Sequence, residues 1–393
     1  MGFADLSDLP YPWDTLGDVR ATAHAHPGGV VDLSIGTPVD PTPAVVRDAL
    51  AAASDAHGYP LTHGTPALRA AVADWFARRR GVPDLDPAAV LPTVGSKELV
   101  GLLPSLLRLG PGDVVVHPAV AYPTYDVGAR LAGATPLATD DVDAWACRDD
   151  VRLVWVNSPG NPTGEVADVA HLGRVVEAAR AIGAVVVGDE CYAELPWADA
   201  WVGEDGGSRV PSLLDPRVTG GSHDGLLVAY SLSKQSNVAG YRAAFVAGDP
   251  ALVEGLLATR KHLGMIVPAP VQAAMTAALG DDAHVTAQRE VYRRRRAALL
   301  GALGSAGFVV DGSEAGLYLW ARPAGTPGGA TSGAADAVPA GATSRELAAW
   351  FARRGILVGP GEFYGVAGER HVRVALTAPD DSVAEAVSRI TSA

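Results

Sequence analysis

The chemistry of this chain is easiest to see at a lysine that ends an apolar run. Leu226-Leu227-Val228-Ala229-Tyr230 reads as a buried strand. It leads into Ser231-Leu232-Ser233-Lys234, with Gly240 and Arg242 close behind. Burial penalises the ammonium form, so a lysine placed there is pushed towards the neutral, nucleophilic amine. Such an amine can form a Schiff base with an aldehyde cofactor. The serines before it and the arginine after it could supply donors to a phosphate. Taken alone, a surface lysine following a strand is the plainer alternative.

Four further polar clusters weaken that alternative. Val90-Leu91-Pro92-Thr93-Val94 precedes Gly95-Ser96-Lys97-Glu98 and a predicted helix. Val114-Val115-Val116 ends in His117-Pro118, with Tyr122 and Tyr125 beyond. Leu153-Val154-Trp155-Val156 ends in Asn157-Ser158-Pro159-Gly160-Asn161-Pro162. Ala184-Val185-Val186-Val187-Gly188 ends in Asp189-Glu190-Cys191-Tyr192. In an open α/β sheet, ligands bind outside the carboxyl ends of the strands, so these clusters are expected to share one site.

These clusters need a frame to hold them. From about Leu68 to Leu232, strands and helices alternate, the signature of βαβ units in a largely parallel sheet. Upstream lie an irregular arm, a short strand at Val30 to Leu33 and a helix from Pro43 to Ala53. After Pro268-Ala269-Pro270, a long helical segment is expected to reach about Ser305, with the helix that carries Arg293 to Arg296 beginning near His284. Strand-like Phe308 to Val310, Gly316 to Trp320, Gly355 to Val358 and His371 to Leu376 follow, with a helix at Glu346 to Arg353. The Gly, Ala, Pro, Ser and Thr-rich stretch 323–344 reads as a flexible insertion, too poor in apolar residues to offset ordering entropy. The expected division is an arm and part of a small domain (1–45), a large domain (46–275) and a small carboxy-terminal domain (276–393).

Composition narrows the classes. The chain has 393 residues, 48% hydrophobic and 19% charged, as expected of a globular protein large enough for two domains. A net charge of −13 disfavours a nucleic-acid surface. Its densest basic cluster, Arg293-Arg294-Arg295-Arg296, is expected to be a solvated helix face. The two cysteines, Cys147 and Cys191, lack metal-ligand spacing, so no metal or disulfide framework is expected, and a reducing cytoplasm fits. Cys191 reads as a small core residue. Neither a signal-peptide pattern nor an apolar run of about 20 residues is visible, so no membrane partner is expected.

The motifs, in this order and over nearly the whole chain, resemble those of the fold-type I, class I/II aminotransferases. Within that family, Tyr11-Pro12-Trp13-Asp14, Asp32 to Pro41, Ala121 to Gly133 and Val267 to Met275 are similar to the actinobacterial succinyldiaminopimelate aminotransferases. The resemblance implies an α/β fold, with a large sheet sandwiched by helices and a smaller α+β domain. It also implies pyridoxal 5′-phosphate as cofactor and a homodimer with shared active sites. The low-complexity insertion departs from the family pattern without touching a motif.

The resemblance assigns roles that the chemistry supports. Lys234 would bond the cofactor and then carry the proton between substrate Cα and cofactor C4′. The other two lysines, Lys97 and Lys261, are worse placed for this. Asp189 would face the pyridine nitrogen and keep it protonated. Asn161 and Tyr192 would bond the ring 3′-oxygen. The amides of Gly95, Ser96 and Lys97, at a helix start, would hold the phosphate together with Ser231 and Arg242. Tyr122 would stack on the ring with Tyr125 as a core neighbour, although the two could exchange roles. Tyr59 would reach the phosphate of the partner subunit. Arg373, with Asn161, would bind the substrate α-carboxylate, and Gly36 would let the backbone come close to it.

The activity so implied is ping-pong transfer between glutamate/2-oxoglutarate and N-succinyl-2-amino-6-oxopimelate/N-succinyl-LL-2,6-diaminopimelate, a step in diaminopimelate and lysine synthesis. The loops Tyr11 to Asp14 and Gly361 to Tyr364 are candidates for the succinyl arm. A broad aspartate or aromatic aminotransferase, or a C–S lyase on the same fold, stays open. A non-catalytic regulator is disfavoured, because every cofactor residue is present.

Overall fold

The computed structural model describes residues 11–204, 206–325, 338 and 341–392. Its first strand, β1 (Val31–Asp32), follows the helix Gly17–His24. Then come the seven strands of the central sheet: β2 (Val90–Val94), β3 (Val114–His117), β4 (Thr135–Ala138), β5 (Val151–Asn157), β6 (Val185–Asp189), β7 (Leu226–Ser231) and β8 (Ala243–Gly248). They lie in the order β2-β8-β7-β6-β5-β3-β4.

Strands β4, β3, β5, β6 and β7 are mutually parallel, while β8 runs antiparallel to both of its neighbours. Continuous apolar runs such as Leu227, Val228 and Ala229 fit this position, since helices cover both faces of the sheet. One core, containing Trp75, Phe76, Tyr230 and Phe245, fills one face. Another, containing Leu99, Leu103, Tyr125 and Trp155, fills the other. The parallel order brings the ends of β5, β6 and β7 side by side, with Asn157 paired to Asp189 in register.

A second body is built on an antiparallel sheet. It contains β9 (Phe308–Asp311), β10 (Tyr318–Pro323), a two-residue strand β11 (Ile356–Leu357) that pairs with β1, β12 (Gly359–Pro360) and β13 (Val372–Ala375). Strand β10 lies between β9 and β13, and places Tyr318 opposite Ala375 and Trp320 opposite Arg373. The pairing of β1 with β11 ties the arm to this body, and their residues share a core with Leu317, Leu319, Trp350 and Val374.

Three expectations change. The long helical segment is two helices, Ala269–Leu279 and Asp282–Ser305, the second starting two residues before His284 because Asp281 caps it by accepting from Ala283 N–H. The basic cluster is not uniformly solvated. Arg295 is buried and forks onto Asp40 at 2.6 and 2.8 Å, with Asp380 at 2.6 Å, while Arg296 binds the Ser313 carbonyl at 2.8 Å. The insertion is also shorter than 323–344: Pro323 belongs to β10, and Ser344 starts a helix capped by Thr343 and Glu346. Most of its interior lies outside the described residues.

Candidate active site

A cavity of about 280 Å³ opens at the carboxyl ends of β5, β6 and β7. Lys234, Asp189, Tyr192, Asn161, Ser96, Lys97, Tyr122, Ser231, Arg242, Gly36 and Arg373 all line it. Gly95 stands at its edge, and only Tyr59 among the sequence-predicted residues lies away from it. A larger space of about 600 Å³ shares Asn157 with this cavity, but neither Lys234 nor Arg373 reaches it. Size alone therefore does not locate the chemistry.

Lys234 comes three residues after β7 ends, on the turn that leaves the strand. Its Nζ donates to the Gly36 carbonyl. Burial lowers its pKa below 10.5; the Tyr318 phenol opposes that shift and the Arg373 charge adds to it. Next to Lys234, Gln235 accepts from the Tyr230 hydroxyl inside the core, which fixes the turn that carries the lysine.

Asp189 is the last residue of β6, and its two oxygens are held separately. Tyr125 Oη donates to Oδ2 at 2.7 Å, and Cys191 N–H donates to Oδ1 at 3.3 Å. Tyr125 is indeed buried, but it is more than the core neighbour expected, since its phenol is the partner of the carboxylate. Its neighbour Tyr122 lines the cavity. Asn157, also passed over in the sequence, braces the next loop. It accepts from Asn161 N–H at 2.8 Å and donates to the Asp189 carbonyl at 3.1 Å.

The anion-binding end is made by a helix start and a loop. Gly95, at φ 79°, precedes the helix Ser96–Leu106, and its N–H donates to the Arg242 carbonyl at 2.9 Å. The positive φ favours glycine there, and a Cβ would fall 2.1 Å from Arg242 Nη2 and force the guanidinium to move. The first amides of a helix have no intrahelical acceptor and carry the positive end of its dipole. Ser231 Oγ donates to Ser233 Oγ at 2.8 Å, adding hydroxyls beside them.

At the opposite end, Arg373 reaches the cavity from β13. Nη1 donates to Asn161 Oδ1 at 3.0 Å and Nη2 to the Ser34 carbonyl at 2.7 Å, while Nε has no partner. Tyr318, not singled out in the sequence, lies between these groups. Its hydroxyl is 3.3 Å from Tyr192 Oη, and a Cβ on Gly36 would come 2.0 Å from it. Burial raises the Tyr318 pKa, but the positive charges of Arg373 and Lys234 outweigh burial and set it below 10.0. Burial and the adjacent Tyr318 push Tyr192 well above 10.0, and either hydroxyl can donate in the contact between them.

Tyr59, by contrast, is fully exposed. Among the described residues, no cluster of His, Cys, Asp and Glu could hold a metal ion, and no helix is long and apolar enough to cross a membrane.

Fold and site together define an aminotransferase. Residues 28–390 match the model of the family "Aminotransferase class I and II", and the chain belongs to that family. A probable aminotransferase of Mycobacterium tuberculosis is 55% identical over 98% of this chain and 86% of its own length. The 4-dedimethylamino-4-oxo-anhydrotetracycline transaminase of Streptomyces rimosus is 52% identical over 98% of this chain and all of its own. Among solved structures, a probable N-succinyldiaminopimelate aminotransferase from Thermus thermophilus superposes with a TM-score of 0.81 at 28% identity, covering 97% of this chain and 99% of that one.

Class I and II aminotransferases use pyridoxal 5′-phosphate. The cavity fits that group. It offers a lysine amine in Lys234, a carboxylate in Asp189 and, at the far end, free amides, hydroxyls and the Arg242 guanidinium for a phosphate. A side chain on Gly95 would collide with that guanidinium, so glycine there lets it lie against the helix start.

Proposed function

We propose that this aminotransferase exchanges an amino group between glutamate/2-oxoglutarate and N-succinyl-2-amino-6-oxopimelate/N-succinyl-LL-2,6-diaminopimelate. The observation that carries amino-acid transfer is that the Lys234 amine and the Arg373 fork, with no carboxylate paired to it among the described residues, share one cavity. In this reading residues 46–275 form the large domain, with 1–45 and 276–393 supplying the arm and the small domain.

When bound, pyridoxal phosphate supplies an aldehyde that takes up the amino group and a ring that draws electrons from the substrate Cα. The chain's residues do the rest. Arg242, Ser231 and the amides of Ser96 and Lys97 would hold the phosphate; the Gly95 N–H expected to join them is already taken by the Thr93 and Arg242 carbonyls. Asp189 holds a proton on the ring nitrogen, and Tyr125 holds Asp189. Tyr192 and Asn161 bond the 3′-oxygen, and Tyr122 covers the ring face. Arg373 takes the substrate α-carboxylate with two parallel hydrogen bonds, beside the Gly36 backbone. Lys234 Nζ, in the same cavity, would carry the proton between substrate Cα and cofactor C4′, in opposite senses in the two half-reactions. Tyr59 reaches the phosphate of a second copy across a two-fold dimer.

Lys97 favours acidic substrates. Its ammonium lies 5.5 Å from the ring centres of both Tyr11 and Tyr122 at the cavity wall, with no ion-pair partner among the described residues. A distal carboxylate of glutamate, or of a succinyl arm, would neutralise it. The Thermus thermophilus structure is named for the succinylated substrate, which agrees with this choice. A second reading comes from the Streptomyces rimosus relative, named for a polycyclic acceptor: amination of a ketone on a larger molecule.

The test is a substrate panel with purified holoenzyme. It compares N-succinyl-LL-2,6-diaminopimelate, aspartate, phenylalanine, cystathionine and a polycyclic ketone, with 2-oxoglutarate or glutamate as co-substrate. Preference for the succinylated compound supports the first reading, and preference for the polycyclic ketone supports the second. Pyruvate and ammonia released from cystathionine without a keto acid would mean a C–S lyase.

A further inference from the structure

Arg373 poses an electrostatic problem. It is only 3% exposed, and no carboxylate lies within ion-pair range of it among the described residues. Taking a charge out of water without a partner is costly, and buried arginines elsewhere in this chain obey that rule. Arg260 is paired with Glu98, Arg80 with Glu190, and Arg295 with Asp40. At Arg373, two neutral oxygens are the only hydrogen-bond acceptors among the described residues.

Three aromatic rings surround it instead. The guanidinium carbon lies 3.9 Å from the ring centre of Tyr318, 4.9 Å from that of Tyr364 and 5.8 Å from that of Trp13. Tyr364 Oη and Trp13 Nε1 have no hydrogen-bond partner, so these two residues offer Arg373 their rings and not their polar atoms. The rings come from separate segments: Trp13 from the arm, Tyr318 from β10 and Tyr364 from the loop after β12. Trp320 locks Tyr364 edge-on at 5.8 Å, and Phe363 packs on Trp13 at 5.4 Å.

We propose that Tyr318, with Tyr364 and Trp13, forms an aromatic cage that stands in for a counter-ion at Arg373, which makes Tyr318 a positioning residue for carboxylate recognition. A ring face attracts a cation but does not neutralise it. The fork is thereby kept buried, oriented and still fully charged for an incoming carboxylate, whereas a paired aspartate would have to be displaced first. Burial works against the charge on Arg373, the nearby phenols favour it, and the balance is upward. The cage also makes the arm part of the carboxylate site, because Trp13 is one of its walls. This inference rests on Arg373 being the α-carboxylate receptor.

The experiment measures the Kd of succinate, which carries no amino or keto group and binds without reacting, by calorimetry on the holoenzyme. Variants are Tyr318→Phe, Tyr318→Leu, Arg373→Lys and a chain with 3,4,5-trifluorophenylalanine at 318. Fluorine drains the ring face while keeping its shape, so that variant remains informative if Tyr318→Leu does not fold. Expected are a Kd within about twofold of the parent for Tyr318→Phe and a rise of about tenfold for the fluorinated ring, the size of a desolvated cation–π contact. Arg373→Lys should raise Kd by about a hundredfold through loss of the bidentate fork. A flat series at 318 with a large Arg373→Lys effect overturns the cage and leaves the receptor standing. No effect of Arg373→Lys overturns both.

Discussion

The hydroxyl of Tyr125 donates a 2.7 Å hydrogen bond to Asp189 Oδ2, from inside the core that backs the central sheet. Burial, followed by the Asp189 charge and the bond itself, raises the Tyr125 pKa well above 10.0. The phenol is therefore a permanent donor over the whole working pH range, and it aims the carboxylate that faces the cavity. Tyr125→Phe removes the bond without changing the ring, which packs on Trp155 at 5.2 Å. A bond to a charged group contributes about 1.5–3 kcal/mol. The expected result is a fall in kcat of at least about tenfold, with weaker cofactor binding and an unfolding midpoint within a few degrees of the parent. Unchanged kcat would remove Tyr125 from the machinery.

The lowered pKa of Lys234 predicts a pH signature in the protein stripped of cofactor. Burial depresses the folded-state value below the 10.5 of a free lysine. Between those two values the unfolded chain binds more protons, so stability rises with pH across that window. Below the folded pKa, the parent protein carries the full cost of a buried ammonium. Lys234→Met is expected to be more stable than the parent at neutral pH, with the gap closing as pH approaches 10.5. Paired urea titrations at several pH values measure it, and a gap that widens with pH would contradict the sign. In the cofactor-loaded state, the same variant should lose the visible absorbance due to lysine-linked pyridoxal phosphate.

The phosphate end depends on an ion pair behind it. Arg260 is fully buried, and it forks onto Glu98 at 2.7 and 3.1 Å, while Glu98 also accepts from Val94 N–H at 3.2 Å. Glu98 belongs to the first turn of the helix that follows Gly95, so the pair clamps that turn. Glu98→Ala strands a buried guanidinium, and about 3–5 kcal/mol of stability should be lost. The double variant Glu98→Leu/Arg260→Met strands nothing and should lose less than either single change. Urea unfolding tests the order; additive losses would mean that the two residues are not a unit.

How much of this was legible beforehand follows from where each interaction is decided. The strand ends bearing Asn161, Asp189 and Lys234 were legible, because local apolar runs mark where strands stop and parallel order brings their ends together. Strand β8 was not singled out, since Ala243-Ala244-Phe245-Val246-Ala247 has weak strand character of its own. Hydrogen bonding to β2 and β7 on both sides makes it a strand. The inward turn of Arg295 was hidden because its acceptor, Asp40, is 255 residues away. Tyr318 was hidden for the same reason: only the pairing of β10 with β13 brings its ring to Arg373. The start of the helix Asp282–Ser305 was expected near His284, and Asp281, readable as its cap, sets it two residues earlier.

Tyr59 is 100% exposed in a single chain, and Leu61, Ile35 and Val39 are exposed at 57%, 45% and 47%. Large apolar side chains open to water in a single chain suit contact with a second copy. If Tyr59 serves the site of its neighbour, Tyr59→Ala and Lys234→Ala damage different halves of one shared site. Each variant alone should be nearly inactive. Unfolded together and refolded as a mixture, half of the dimers would be hybrids, and each hybrid would hold one site with both native residues. Activity should then recover to about a quarter of the parent value, as two-fold statistics require. A mixture no more active than the sum of its parents would mean that Tyr59 acts within its own chain or not at all.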